Sequence, residues 1–261
     1  MRLVSLCPSI TETLFELGVG GAVVGATKFC VEPEAELAGV DRIGGTKDPD
    51  LDRIAALEPT LVLMNEEENR REDHDALRAL GLDVHVSFPR GPGDVPAMLR
   101  SFGDAVGESA RADGLARGVE DALRAARSAR STRSSGGPGV AFLALVWRKP
   151  WIAAGPDTFL SALLEEAGGR NVLSPGGPRY RELTDADLAG LSAKRVLLPS
   201  EPFPFRKRHA DELRRHLRIE ADGFILCDGR ALTWHGARTA DALRYAAQWF
   251  AADDPSPDCN R

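Results

Sequence analysis

What this chain lacks narrows it first. No run of apolar residues reaches the ~20 needed to cross a membrane as a helix. Its four cysteines, Cys7, Cys30, Cys227 and Cys259, stand far apart, so there is no CxxC element for a zinc ribbon or a thioredoxin-like redox site. Positive charge is short. There are 33 Lys and Arg against 39 Asp and Glu, a net charge of −6, which argues against a nucleic-acid or anionic-membrane partner. Enzyme signatures are missing too: GxSxG and HExxH do not occur. Gly18-Val19-Gly20-Gly21 follows a helix and precedes a strand, the reverse of a dinucleotide fingerprint, and Gly44–Lys47 lacks the spacing of a phosphate loop. The N-terminus shows no secretory signal, because Met1-Arg2 runs straight into the strand-like Leu3-Val4-Ser5-Leu6, without the apolar core of ~7–15 residues that export needs. As written, the chain is expected to stay in the cytoplasm; a start placed too late in the gene, giving a periplasmic or extracytoplasmic protein, is the alternative.

What is present is ordinary for a globular α/β protein in bulk and unusual in arrangement. Hydrophobic residues make up 43% and charged residues 28% of 261, enough for one large domain or two small ones. Asp50–Val86 and Asp185–Leu226 follow one pattern: a short helix, an apolar strand, a loop holding glutamate, a charged helix and another strand. Two similar α/β lobes with a ligand cleft between them follow from that pseudo-repeat. The expected boundaries are 1–106 for the N-terminal lobe, 107–137 for a backbone helix and connector, 138–252 for the C-terminal lobe and 253–261 for a tail.

Strands are expected at Arg2–Leu6, Ala22–Gly25, Leu61–Met64, Val84–Ser87, Val140–Trp147, Arg195–Leu198 and Phe224–Cys227. Pro8-Ser9 opens a helix through Gly18, with Ser9 as N-cap and Glu12 completing a capping box. Further helices are expected at Asp50–Leu57, about Arg70–Leu80, Asp94–Val106 with a break at Gly103, Asp157–Ala167, about His209–Leu217 and about Ala237–Ala251. Strands that alternate with helices imply mainly parallel sheets. Glu108 to about Arg130 reads as one long helix with an apolar stripe at Leu115, Val119, Ala122, Leu123 and Ala126, and with Arg117–Asp121 and Glu120–Arg124 as ion pairs. Ser131–Gly139 reads as a flexible connector and the stretch from Asp253 as a disordered tail.

Ligands of parallel sheets bind outside the carboxyl ends of the strands. The residues there become candidates: Cys7, Pro8, Ser9, Lys28, Phe29, Cys30, Gly45, Thr46, Lys47, Asn65 and Glu66 in the first lobe, and Trp147, Arg148, Trp151, Tyr180, Trp234 and His235 in the second. Three of the four tryptophans fall in such loops, which suits a ligand with flat or apolar faces, although a lone loop tryptophan equally often caps a sheet. Cys7 beside a helix start, with Cys30 and with His235 before a glycine turn, is the candidate metal set; small buried cysteines are the plainer reading. His74, His209 and His216 read as surface residues on charged helices, and the glutamate run at Glu66–Glu68 as a solvated loop or a contact surface.

The segments SLCPSITETLFELG, VVGATKFC and IGGTKDPDLDRIAALEPTLVLMNEEENRREDHDALRALGLDVHV, with WRKPWIAAGPDTFLSALLEEAGGRNV, resemble the helical-backbone (class III) substrate-binding proteins of ABC transporters, the cobalamin and ferric-siderophore receptors. The resemblance runs from about Leu3 to Phe250 and is nearest the cobalamin-binding or helical-backbone metal receptor subgroup. It implies a non-catalytic, monomeric binder of a metal-containing chelate, cobalamin first, with no required cofactor. Aromatics comparable to Phe29, Trp147, Trp151 and Trp234 would hold the ligand. One glutamate per lobe would dock on an ABC permease, with Glu67 or Glu72 in the first lobe and Glu201 in the second. The other reading is a cytoplasmic metal-binding protein, metallochaperone or enzyme using Cys7, Cys30 and His235.

Overall fold

The structure, a computed structural model, describes residues 1–132, 139–217 and 223–251. Most of the expected connector, the expected tail and Cys259 lie outside the described residues. The chain divides into two units. The first holds Met1–Pro89, Asp94–Gly118 and Trp234–Arg238; the second holds Arg90–Gly93, Val119–Thr233 and the rest from Thr239.

The first unit is a sheet of β1 (Leu3–Ser5), β2 (Val23–Ala26), β3 (Asp41–Arg42), β4 (Leu61–Asn65) and β5 (Val84–Ser87), in the order β3-β2-β1-β4-β5. Every pairing in it is parallel. The strands are apolar, and parallel strands need cover on their faces. That cover comes from α1 (Pro8–Glu16), α2 (Leu51–Ala56), α3 (Arg71–Ala79) and α4 (Val95–Val106). Val4, Leu6, Ile43, Ile54, Val62, Met64 and Leu77 form one of its buried clusters.

Two local expectations change here. Cys7, not Ser9, is the N-cap of α1, and no side chain caps it. Pro8 takes the first helical position, where its missing N–H costs nothing, so Ser9 is carried inside the helix. The helix at 95–106 is unbroken, and Gly107, at φ 78, ends it. Gly103 serves packing instead: a Cβ there would lie 2.3 Å from Ala112 Cβ.

Helix α5 (Ser109–Thr132) begins in the first unit and passes into the second at Gly118–Val119. Its buried line is Ala112, Ala116, Val119, Leu123 and Ala126, a spacing of three and four. The ion pairs on its outer face differ from expectation: Arg117 reaches Asp113 and Arg124 reaches Asp121. Both arginines point toward the helix start, the way side chains on a helix lean.

The second unit pairs β6 (Val140–Trp147), β7 (Trp151–Ala154), β8 (Gly169–Asn171), β9 (Tyr180–Leu183), β10 (Arg195–Pro199) and β11 (Phe224–Cys227) in the order β11-β10-β6-β7-β9, with β8 beside β6. Strands β10, β11 and β8 join in parallel, while β6–β7 and β7–β9 are antiparallel. The segment expected as a loop through Trp151 is therefore a hairpin with a turn at Arg148–Pro150, and Trp151 opens a strand. Helices α6 (Phe159–Glu166), α7 (Asp185–Gly190), α8 (Lys207–Leu213), α9 (Gly229–Thr233) and α10 (Thr239–Ala247) complete the unit. His209 is buried on α8 rather than exposed, and the helix expected from Ala237 starts at Thr239 because Trp234–Arg238 lies in the first unit.

Gly103 gives a test of this packing. A Gly→Ala change inside a helix ordinarily gains about 1 kcal/mol. Here the new methyl meets the Cβ of Ala112, a stub that cannot rotate away, so Gly103→Ala should cost about 1–3 kcal/mol. Urea unfolding would read this as a lower midpoint. A higher midpoint would show that α4 and α5 are free to move apart.

Candidate functional site

Strand order in the first sheet reverses at β1 and β4. The chain leaves β1 for β2 on one side and β4 for β5 on the other, and the carboxyl end of such a reversal is where an open α/β sheet is expected to form a ligand crevice. Cys7-Pro8-Ser9 follows β1, and Asn65–Asn69 follows β4. Two buried asparagines fix this crevice. The Asn69 amide nitrogen donates to the carbonyls of Leu6 and Thr46, both at 3.0 Å, while its oxygen accepts the Asn65 N–H at 2.8 Å. The Asn65 amide nitrogen donates to the Ser87 carbonyl at 3.1 Å, and its oxygen accepts the N–H groups of Glu67 and Glu68 at 3.0 and 3.1 Å. Three strand ends and the Thr46 loop are thereby tied by two side chains.

The rim around this floor is charged. Lys47 Nζ donates to the Glu67 carbonyl at 2.6 Å, and Lys28 lies 3.9 Å from Asp48. Glu66 and Glu68 are exposed. Partial desolvation of its carboxyl pushes the Glu68 pKa up, opposed by Lys47. Phe29 is 51% exposed, with Lys28 Nζ 5.2 Å from its ring centre. Gly45 is buried against Asp48 and the Phe29 ring, where a Cβ would not fit.

Segment Trp234–Arg238 completes the first unit. The Arg238 guanidinium forms a two-armed ion pair with Glu12 of α1 and lies 5.0 Å from the Trp234 ring. Gly236, at φ 107, lies close against Thr13, whose hydroxyl accepts the Ala237 N–H at 3.3 Å. His235 is buried, with Nε2 3.1 Å from the Asn65 amide nitrogen, and burial pulls its pKa down to about 4. Trp234 is a buried side chain of this segment.

Cys7 and Cys30 come together around Thr11. The Thr11 hydroxyl lies 3.0 Å from Cys30 Sγ, 3.1 Å from the Cys7 carbonyl and 2.8 Å from Ser5 Oγ; Ser9 Oγ is 3.3 Å from Cys7 Sγ. Burial pushes the Cys7 thiol up to about 12 and raises that of Cys30. Among the described residues, no three His, Cys, Asp or Glu side chains gather as a metal site, and His235 is engaged with Asn65 rather than with the thiols.

In the second unit the β6–β7 hairpin carries Trp147, 42% exposed, and Trp151, 4% exposed. Trp151 belongs to the core: it stacks on Phe205 at 6.4 Å and carries the Arg148 guanidinium at 4.3 Å. Arg148 in turn holds Glu212 by a two-armed ion pair, which keeps that carboxyl below its usual range. Trp147 meets the edge of Phe203 at 5.6 Å. Tyr180 is exposed at the start of β9. Arg148, Trp151, Thr184, Asp185, Arg215 and His216 border an open depression of about 580 Å³. Glu201 follows β10, and its backbone packs on Gly229.

The expected list omitted Asn69, Ser87, Phe203 and Phe205. Asn69 had a readable signal, since asparagines bracketing NEEEN after an apolar strand are turn formers. Phe203 and Phe205 alternate in PFPF, but the tryptophans they meet, Trp147 and Trp151, are tens of residues away.

Comparison with known proteins places this geometry. The periplasmic binding protein family matches residues 3–200. A cobalamin-binding protein of Halobacterium salinarum is 30% identical over 173 residues, covering 66% of this chain and 46% of that protein. An uncharacterized ABC transporter substrate-binding lipoprotein of Bacillus subtilis is 27% identical over 174 residues, covering 65% of this chain and 54% of that protein. This chain thus spans about half the length of these curated relatives. Among solved structures, the periplasmic heme-binding protein RhuT from Roseiflexus sp. RS-1 superposes with a TM-score of 0.78 at 25% identity, covering 95% of this chain and 97% of that one.

The thiol assignments have a direct check. A thiol with a pKa near 12 carries almost no thiolate at pH 8. Iodoacetamide should therefore leave Cys7 unmodified in the folded protein and label it after unfolding, as read by peptide mass mapping. Rapid labelling in the folded state would place Cys7 in an open, reactive environment instead.

Proposed function

This chain belongs to the periplasmic binding protein family, and from that premise we propose that it is a non-catalytic binder of a metal-containing tetrapyrrole-type chelate, cobalamin first, serving an ABC importer outside the cytoplasm. The strand-order reversal at β1–β4, where two buried asparagines tie the strand ends, is the observation that carries this reading. Phe29 in the first unit and Trp147 in the second are each an exposed aromatic at a strand end, a kind of surface suited to a flat ligand face. Trp151 and Trp234 are buried, and Trp151 is linked through Phe205 and Phe203 to Trp147.

Charge favours cobalamin over heme. Heme presents two carboxylates, whereas the corrin periphery presents mostly neutral amides. The rim of the first unit carries Glu66, Glu67 and Glu68, and its lysines are engaged with Asp48 and the Glu67 carbonyl. Carboxylates would be repelled there, whereas neutral amides would not. The B12-type ligand also agrees with what the Halobacterium relative is named for, and heme with the Roseiflexus structure. Extracytoplasmic placement follows the relatives' names, periplasmic and lipoprotein, rather than the cytoplasmic expectation. For the permease, Glu72, exposed in the first turn of α3, and Glu201 are the docking carboxylates.

Calorimetric titration with cyanocobalamin and with hemin tests the ligand. Phe29→Ala and Trp147→Ala should each weaken binding of the preferred ligand by about 1–3 kcal/mol with the fold intact. Trp151→Ala should instead lower stability by about 3–5 kcal/mol, because it empties a core position. Full affinity in both exposed-site variants would remove the aromatics from the site.

Docking is tested separately. Glu72 is exposed and Glu201 half-buried, so the milder pair Glu72→Arg with Glu201→Gln should abolish transporter-dependent uptake and spare ligand affinity. Unchanged uptake would count against docking at these residues.

A further inference from the structure

The Asn65 carboxamide has no freedom of orientation. Its oxygen faces two backbone N–H groups, those of Glu67 and Glu68, and its nitrogen faces the Ser87 carbonyl. Donors and acceptors of the main chain are fixed by chemistry, so the amide cannot be turned around without setting NH₂ against N–H and oxygen against oxygen. The second hydrogen of that NH₂ therefore points at His235 Nε2, 3.1 Å away. An NH₂ group can only donate, so Nε2 must accept. That fixes His235 as the neutral imidazole with its proton on Nδ1.

We propose that His235 is a positioning residue for the binding rim: as a neutral acceptor it holds the Asn65 amide, and through it the Glu66–Glu68 loop, in the orientation that ligand meets. This rests on the reading of that loop as part of the ligand rim. A proton on Nε2 would turn the acceptor into a donor facing a donor. The Asn65 amide would relieve this by rotating, and its NH₂ would then face the N–H groups of Glu67 and Glu68. The turn that presents the three glutamates would open.

The surrounding charges do not alter the argument. Glu12 of α1 and Arg238 of the His235 segment neutralise one another, and Lys47 and Glu68 belong to the rim. Burial, rather than any of these charges, keeps His235 neutral down to about pH 4. The neutral form is the one the fold prefers. Stability from this group is therefore complete above the ordinary histidine pKa of 6.5, and is lost as pH falls toward 4.

Ligand-free NMR tests the latch without assuming the ligand. In the wild type, the Glu67 and Glu68 amides should be protected from exchange at pH 7 and lose protection as the His235 ring nitrogens titrate. His235→Gln, whose side-chain oxygen accepts and does not titrate, should keep protection through that range. His235→Leu should lack it at pH 7. Protection in His235→Leu equal to wild type, or an acid loss in His235→Gln equal to wild type, would overturn the proposal. Should His235→Leu fail to fold, Asn65→Asp serves: a carboxylate beside the ring must raise the His235 titration midpoint, and an unmoved midpoint would overturn the pairing. For binding, cyanocobalamin affinity at pH 7 should fall about tenfold or more in His235→Leu and stay within about threefold in His235→Gln. Equal affinity in all three proteins would overturn the coupling. If wild-type protein does not bind cyanocobalamin at all, the ligand reading fails, while the NMR experiment still decides the latch.

Discussion

A parallel strand that ends beside a crevice leaves backbone carbonyls and N–H groups with no strand to pair with, and burying them unpaired costs about 1–3 kcal/mol each. The first unit meets that constraint with Asn69. One carboxamide accepts the N–H of Asn65 and donates to Leu6 and Thr46, so the ends of β1 and β4 and the loop through Thr46 are fixed relative to one another. Asn65 repeats the device for Ser87, Glu67 and Glu68. The chemistry follows from this. A floor held by neutral amides is tied together without carrying charge, while the glutamates and lysines remain at the rim in water.

The second unit makes a rigid surface from aromatic rings. Trp151 stacks on Phe205, Phe205 meets Phe203 at 4.8 Å, and Phe203 meets Trp147 at 5.6 Å. The rings run from the core outward, so the exposed Trp147 is braced by buried neighbours. Arg148 covers Trp151 and is anchored by Glu212. An exposed ring already held in place loses less side-chain entropy on binding. In this arrangement the buried tryptophan contributes as much to a contact surface as the exposed one, though only the latter can touch a ligand.

Much of the fold was legible because it depends on local pattern. Val84–Ser87, Val140–Trp147 and Phe224–Cys227 match the observed strands, since short apolar runs between turn residues have few alternatives. The long helix followed from its stripe. Errors arose where a partner far along the chain decides. Trp151 looked like a loop residue because Lys149-Pro150 precedes it, yet pairing with Leu183 makes it a strand. Ser9 looked like a cap until Pro8 claimed the first helical position. His235 was grouped with Cys7 and Cys30, whereas its partner is Asn65, 170 residues earlier. Sequence marks which residues stand at strand ends; it does not say which of them turn outward. Hence Phe29 and Trp234 read alike, although one is exposed and the other buried.

The buried thiols of the first unit are held as protonated hydrogen-bonding groups. A thiol must lose its proton to become a strong ligand, and the Cys7 pKa near 12 makes that costly at neutral pH. Hydrogen bonds from Thr11 and Thr27 partly offset burial at Cys30 without reversing it. His235 is neutral and could in principle coordinate, but Nε2 is committed to Asn65, and withdrawing it would loosen the loop that Asn65 supports. Thr11, Asn65, Asn69 and His235 are thus each engaged in hydrogen bonds within the first unit.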